Sequence, residues 1–132
     1  MSYNVLIVDD SAITRTIVKK SLAMCGLDLG QIHEAANGVE ALQKLATEWV
    51  DLVFADINMP EMNGIELVEK MAEDNLLASI PVIIVSTERS QTQIDKLKQC
   101  GVRGYIKKPS RPEDFRNVIA EVLGPTGDTH AA

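Results

Sequence analysis

Short apolar runs alternate along this chain with stretches whose apolar residues recur every three or four positions. Val5-Leu6-Ile7-Val8, Leu52-Val53-Phe54-Ala55 and Val82-Ile83-Ile84-Val85 are apolar at every position. Strands buried on both faces read this way, whereas a strand with one wet face alternates. Together with two weaker runs, they predict strands at about 4–8, 31–36, 51–55, 81–86 and 102–106. The stretches between have helical spacing. Ser11 suits the cap of a helix bearing Ile13, Ile17, Val18 and Leu22 and ending before Gly26. After Asn37-Gly38, a second helical face carries Val39, Leu42, Ala46 and Trp49, with Trp49 expected to pack. Ile65, Val68 and Ala72 mark a third helix, and Ile94 and Leu97 a fourth. Pro112, favourable in a first helical turn, opens a fifth with Phe115, Val118, Ile119 and Val122.

Five strand–helix units in succession predict an α/β domain: a doubly wound, five-stranded parallel sheet, with five helices on two faces and right-handed crossovers. The loops after the strands then open at one edge, where such folds bind ligands. The segment from Gly124 to Ala132 has no apolar face. The expected division is a domain over 1–124 and a disordered tail over 125–132, with His130 in the tail.

Composition narrows the function classes. The chain has 132 residues, 45% apolar and 24% charged, enough for one core without disulfides or a structural metal. Its net charge of −6 argues against nucleic acid, because neutralising phosphates requires clustered Lys and Arg. The longest basic clusters are the pairs Lys19-Lys20 and Lys107-Lys108. Asp9 stops the first apolar run, which excludes a secretory signal, and no run approaches the roughly 20 apolar residues of a membrane span. Cytoplasm is the expected location. Cys25 and Cys100 each precede a glycine at an expected helix end and read as small reduced thiols, and His33 as a strand-surface residue.

Chemistry gathers where the strands end. Asp9-Asp10 follows the first run, Asp56 the third and Ser86-Thr87 the fourth, while Lys107-Lys108-Pro109 follows Gly104-Tyr105-Ile106. If those strands are adjacent and parallel, three carboxylates, a hydroxyl and an ammonium share one sheet edge. Crowded acids repel unless a cation sits among them, and Mg²⁺ prefers carboxylate and water oxygens. This outlines a phosphoryl-transfer site. In Asp56-Ile57-Asn58-Met59-Pro60-Glu61-Met62-Asn63-Gly64, Pro60 and Gly64 fix a tight loop able to present the Asn58 carbonyl beside Asp56. The Met59 and Met62 pair reads as loop packing.

With Asp9-Asp10, Asp56, Ser86 and Lys108-Pro109 at this spacing, the chain resembles a response-regulator receiver domain over about residues 3–123. Within that family it is most similar to the single-domain chemotaxis regulators. The resemblance implies the strand order 2-1-3-4-5. It implies that Asp56 is the phosphoacceptor, and that Asp10, Asp56 and the Asn58 carbonyl ligate Mg²⁺ or a similar divalent ion such as Mn²⁺. Asp9 would act mostly through a bound water. Lys108 and Ser86 would each hold a phosphoryl oxygen, with Pro109 restraining Lys108. Ser86 and Tyr105 would form a switch that alters the surface of the fourth helix, fifth strand and fifth helix, about residues 91–99, 102–106 and 112–122.

The resemblance further implies a monomer that takes phosphate from a histidine kinase or phosphotransfer protein and docks on a downstream target protein, without membrane or nucleic acid. Some positions depart from the pattern. Ser86 stands where threonine is usual, Thr87 where alanine or glycine is frequent, and Ser110 where an aromatic is common. Asn58 and Glu88 match the chemotaxis pattern near the site. Ile57 stands where the chemotaxis regulators' reporter is tryptophan.

Three rivals remain. The chain could be a phosphorelay intermediate or a receiver fragment of a larger regulator. A receiver-like module that binds without phosphorylation would have lost an acid or the lysine, and this chain keeps them. A phosphatase of the haloacid dehalogenase type needs a second aspartate two residues after its nucleophile; here that position is Asn58, which does no acid–base work. The chain is therefore expected to be a phosphoacceptor and not an enzyme turning over an external substrate.

Overall fold

Successive side chains of a strand point to opposite faces of its sheet, and that alternation explains the uniformly apolar runs. A computed structural model describes residues 2–87 and 90–129, with side chains as far as Leu123. The strands are β1 (Tyr3–Val8), β2 (Leu29–Ala35), β3 (Leu52–Ala55), β4 (Val82–Ser86) and β5 (Gly104–Lys107). The helices are α1 (Ala12–Met24), α2 (Gly38–Thr47), α3 (Gly64–Glu73), α4 (Gln91–Gln99) and α5 (Pro112–Thr129). All pairings are parallel, and the order is β2-β1-β3-β4-β5.

Leu6, Val8, Val53, Ala55 and Ile84 face Ala41 and Leu45 of α2, Leu67, Val68 and Met71 of α3, and Leu97 of α4. Val5, Ile7, Leu52, Phe54, Ile83 and Val85 face Val18 and Leu22 of α1 and Phe115 and Ile119 of α5. The sheet thus divides two cores. Across the second, Phe54 and Phe115 meet with ring centroids 5.7 Å apart and planes tilted by 51°, a favourable arrangement for aromatic quadrupoles.

The expected elements are present, with strand ends shifted by at most two residues, but two helices bury a different stripe. In α1 the buried residues are Val18, Ser21 and Leu22, followed by Cys25, while Ile13 is 75% and Ile17 49% exposed. That helix carries two apolar stripes, and only the one meeting the sheet is covered. In α2, Gly38, Ala41 and Leu45 are buried, whereas Val39 faces outward. Trp49 does not pack: it is 76% exposed, and its indole N–H donates to Asp51 Oδ1 at 2.9 Å. Cys25 and Cys100 cap α1 and α4 as free thiols. Helix α5 continues to Thr129, past the expected boundary at 125, and 130–132, with His130, lie outside the described residues. Among the described residues no helix is long and apolar enough to cross a membrane.

Candidate functional site

Strand register assembles the site. Val8 pairs with Ala35 on one side and Ala55 on the other, Ala55 with Ile84, and Ser86 with Lys107. The ladder then runs one residue further. The Asp9 N–H donates to the Ala35 carbonyl at 3.0 Å, the Asp56 N–H to Val8 at 3.0 Å, and the Lys108 N–H to Ser86 at 3.0 Å. Asp9, Asp56 and Lys108 therefore leave the sheet from one edge. Lys108 Nζ lies 2.9 Å from Asp9 Oδ2 and 3.1 Å from Asp56 Oδ2. Carboxylate oxygens of Asp9, Asp10 and Asp56 all come within 4.8 Å of one another.

The loop after β3 aims the Asp56 carboxylate. Its Oδ1 accepts from the Ile57 N–H at 2.7 Å, leaving Oδ2 to Lys108. Ile57 turns into the core while Asn58 is exposed. Gly64 N–H donates to the Ile57 carbonyl at 2.8 Å, and Glu61 adopts a φ of 65°. Asn63 and Glu66 form a capping box that starts α3. Met62 accepts from the Gly38 N–H through its carbonyl, and with Met59 packs on the core, the packing role expected for that pair.

Burial by itself would push the Lys108 ammonium down. The hydrogen bond to Asp9 and the attraction of Asp56 outweigh it and hold the pKa above its ordinary value. Lys108 is therefore charged throughout the physiological range. Three carboxylates against one ammonium still leave two negative charges in a cluster where Asp9 is only 4% exposed. An all-oxygen donor set with that excess suits one hard divalent cation, so the residues fit Mg²⁺.

Other expected residues lie on or just after β4 and β5. Ser86 is fully buried at the end of β4 and Thr87 is exposed after it. The Lys108–Pro109 peptide is cis. Tyr105 is half-buried on β5, opposite Ile84, and packs on the α2–α4 side of the sheet. Glu88 lies outside the described residues.

Sequence reasoning overlooked a cluster beneath Asp9. Arg15 Nη1 donates to the Asp9 backbone carbonyl at 2.6 Å, and its Nε to Glu34 Oε1 at 2.9 Å. Lys19 takes the other Glu34 oxygen at 2.8 Å. The available signal was Arg15 and Lys19 four apart on α1 with a lone acid on β2. The Lys19 hydrogen bond, with help from Arg15, holds Glu34 below its ordinary pKa against the opposing effect of burial. A lowered carboxylate pKa contributes stability above its unfolded value, near 4.5, and loses it as pH falls through the folded value. Glu34→Gln is accordingly expected to lose stability at pH 7–8 and to converge with the parent as pH falls through the folded pKa of Glu34, flattening the acid limb, as urea unfolding at several pH values would record.

Comparison with known proteins settles the family. The response regulator receiver domain model matches residues 5–120. This chain belongs to the receiver-domain family. Receiver domains are phosphorylation-dependent switches, and they generally bind Mg²⁺ at an acidic pocket of the kind seen here. The receiver is 39% identical over 120 residues to the chemotaxis protein CheY1 of Helicobacter pylori, covering 90% of this chain and 95% of that one. It is 39% identical over 128 residues to the CheY homolog of Campylobacter jejuni, covering 96% of each. Among solved structures it resembles Vibrio cholerae chemotaxis protein CheY4, with TM-score 0.83, 32% identity, and 93% and 100% of the two chains covered. It also resembles a structure of the CheX–CheY–BeF₃–Mg²⁺ complex from Borrelia burgdorferi, with TM-score 0.84, 27% identity, and 92% and 90% covered.

Proposed function

We propose that this receiver is a chemotaxis-type signalling switch that accepts a phosphoryl group on Asp56 from a histidine kinase or phosphotransfer protein. The observation carrying this reading is Lys108, which spans Asp9 and Asp56 at hydrogen-bond distance from the far end of the sheet. A lysine there serves a purpose arginine would not: a single ammonium can leave one oxygen for another, whereas a planar fork is held by two.

In the proposed reaction an Asp56 carboxylate oxygen attacks phosphorus. The bond from phosphorus to the donor's imidazole nitrogen breaks, and that nitrogen keeps the electron pair. Phosphoryl transfer asks chiefly for in-line placement and neutralised charge. Asp9, Asp10, Asp56 and the Asn58 carbonyl would hold Mg²⁺, which when bound supplies positive charge opposite the phosphoryl oxygens. Lys108 exchanges its Asp56 contact for one of those oxygens, and the Ser86 hydroxyl donates to another. Asn58, Thr87, Glu88 and Pro109 tune access to the acyl phosphate and its lifetime. The change would pass from Ser86 to Tyr105, biasing two arrangements of the α4–β5–α5 surface, on which a target protein docks. Relatives named for chemotaxis and the CheX–CheY complex support such a partner. The expected form is a cytoplasmic monomer.

Labelling by phosphoramidate, with and without Mg²⁺, tests the reading; the label should reach one group per chain and vanish on chelation. Lys108→Ala separates two charge effects. It removes a cation beside the acids and should tighten Mg²⁺ roughly tenfold, about 1.4 kcal/mol, while slowing phosphoryl acceptance. Faster labelling in that variant would remove Lys108 from the mechanism.

A further inference from the structure

We infer that Arg15 is a positioning residue for the acidic site, setting the direction of Asp10 through the peptide bond that precedes it. The inference rests on the reading of Asp10 as a Mg²⁺ ligand. Asp10 is exposed, and its carboxylate has no hydrogen-bond partner among the described residues. Side-chain contacts therefore do not aim it, and the backbone must.

The Asp9 carbonyl and the Asp10 nitrogen belong to one planar peptide unit. Holding that carbonyl fixes the plane from which the Asp10 Cα and carboxylate project. Arg15 holds it through Nη1 at 2.6 Å, while Nε of the same guanidinium is anchored on Glu34 of β2 at 2.9 Å. Glu34 sits opposite Ile7 in the β1–β2 register. The clamp thus ties the end of β1 to α1 and to the neighbouring strand. The remaining groups of Asp9 are engaged as well. Its N–H donates to Ala35, Oδ1 accepts from the Ser11 N–H at 2.9 Å, and Oδ2 accepts from Lys108 at 2.9 Å. Among the described residues, only the Arg15 contact acts on the peptide plane that Asp9 shares with Asp10.

Glu34 has a second consequence. A guanidinium this close to a cation site would repel the ion. The carboxylate of Glu34 offsets that charge, and Lys19 holds the other Glu34 oxygen in place.

The sign of one measurement distinguishes positioning from charge. Removing a nearby positive charge tightens divalent binding by Coulomb's law, whereas releasing the Asp10 peptide loosens it. Groups that orient metal ligands typically contribute 10- to 100-fold in affinity, roughly. The Mg²⁺ dissociation constant of the full chain, followed by amide chemical shifts, should rise about tenfold in Arg15→Ala. Thermal unfolding without Mg²⁺ reports separately on the fold. Should Arg15→Ala fail to fold, Arg15→Lys keeps the charge and the stem but cannot bridge Asp9 and Glu34. It should melt near the parent and still bind Mg²⁺ several-fold more weakly. Lys19→Ala, which leaves the Asp9 contact intact, should bind as the parent does or slightly more tightly. Unchanged or tighter binding in Arg15→Ala, or parental affinity in Arg15→Lys, overturns the inference. Asp10→Asn tests the underlying reading: it should lose Mg²⁺ binding whatever Arg15 does, and retained binding there would dismiss Asp10 as a ligand.

Discussion

Asp56→Asn is expected to suppress phosphoryl acceptance from a small donor by at least roughly 10³-fold while leaving the chain folded. The substitution is nearly isosteric, and the amide oxygen can still accept from the Ile57 N–H, as Oδ1 does at 2.7 Å. The atom replacing Oδ2 cannot accept from Lys108 and is no nucleophile. The fold should tolerate the change because Lys108 keeps its 2.9 Å contact with Asp9, so no ammonium is stranded and the stability change should stay within about 1 kcal/mol. Phosphoramidate labelling beside a urea melt reads both quantities. Undiminished label, or label transferred to Asp9 or Asp10, would dismiss Asp56 as acceptor.

Gly64→Ala should be the more damaging change to the fold, costing about 3 kcal/mol, the upper part of the range for overpacked sites. A Cβ on Gly64 would overlap the Asp56 carbonyl oxygen and press on the Ile57 Cα at 3.0 Å. Both obstacles are backbone, so no rotamer change relieves them. The Gly64 N–H is also bonded to the Ile57 carbonyl at 2.8 Å, which prevents α3 from sliding away. Any relaxation must move the segment carrying Asp56, and Mg²⁺ affinity should fall with stability. Contrast Gly38, where an added Cβ would meet the flexible side chain of Met62. A urea-derived unfolding free energy for Gly64→Ala within about 0.5 kcal/mol of the parent, the scatter of surface substitutions, would show that the loop yields more readily than its contacts imply.

The acids and the lysine were legible in the sequence for a geometric reason. Parallel strands in register end at one edge, so residues just past apolar runs must become neighbours, and Asp9, Asp56 and Lys108 did. The helix faces were less legible. Ile13 and Ile17 have the same helical spacing as Val18, Leu22 and Cys25, and only the sheet decides which stripe is covered. Trp49 misled because a large aromatic favours burial, yet its indole found a carboxylate at the surface. Arg15 escaped notice because its principal contact is a backbone carbonyl, which no residue pattern announces.

Lys108 reaches a carboxylate 99 positions earlier in the chain. Any amino-terminal portion short of it, whether still on the ribosome or clipped by a protease, lacks the ammonium that draws Asp9 and Asp56 together. On the proposed reading, a copy cut short or clipped before Lys108 stays mute instead of broadcasting falsely.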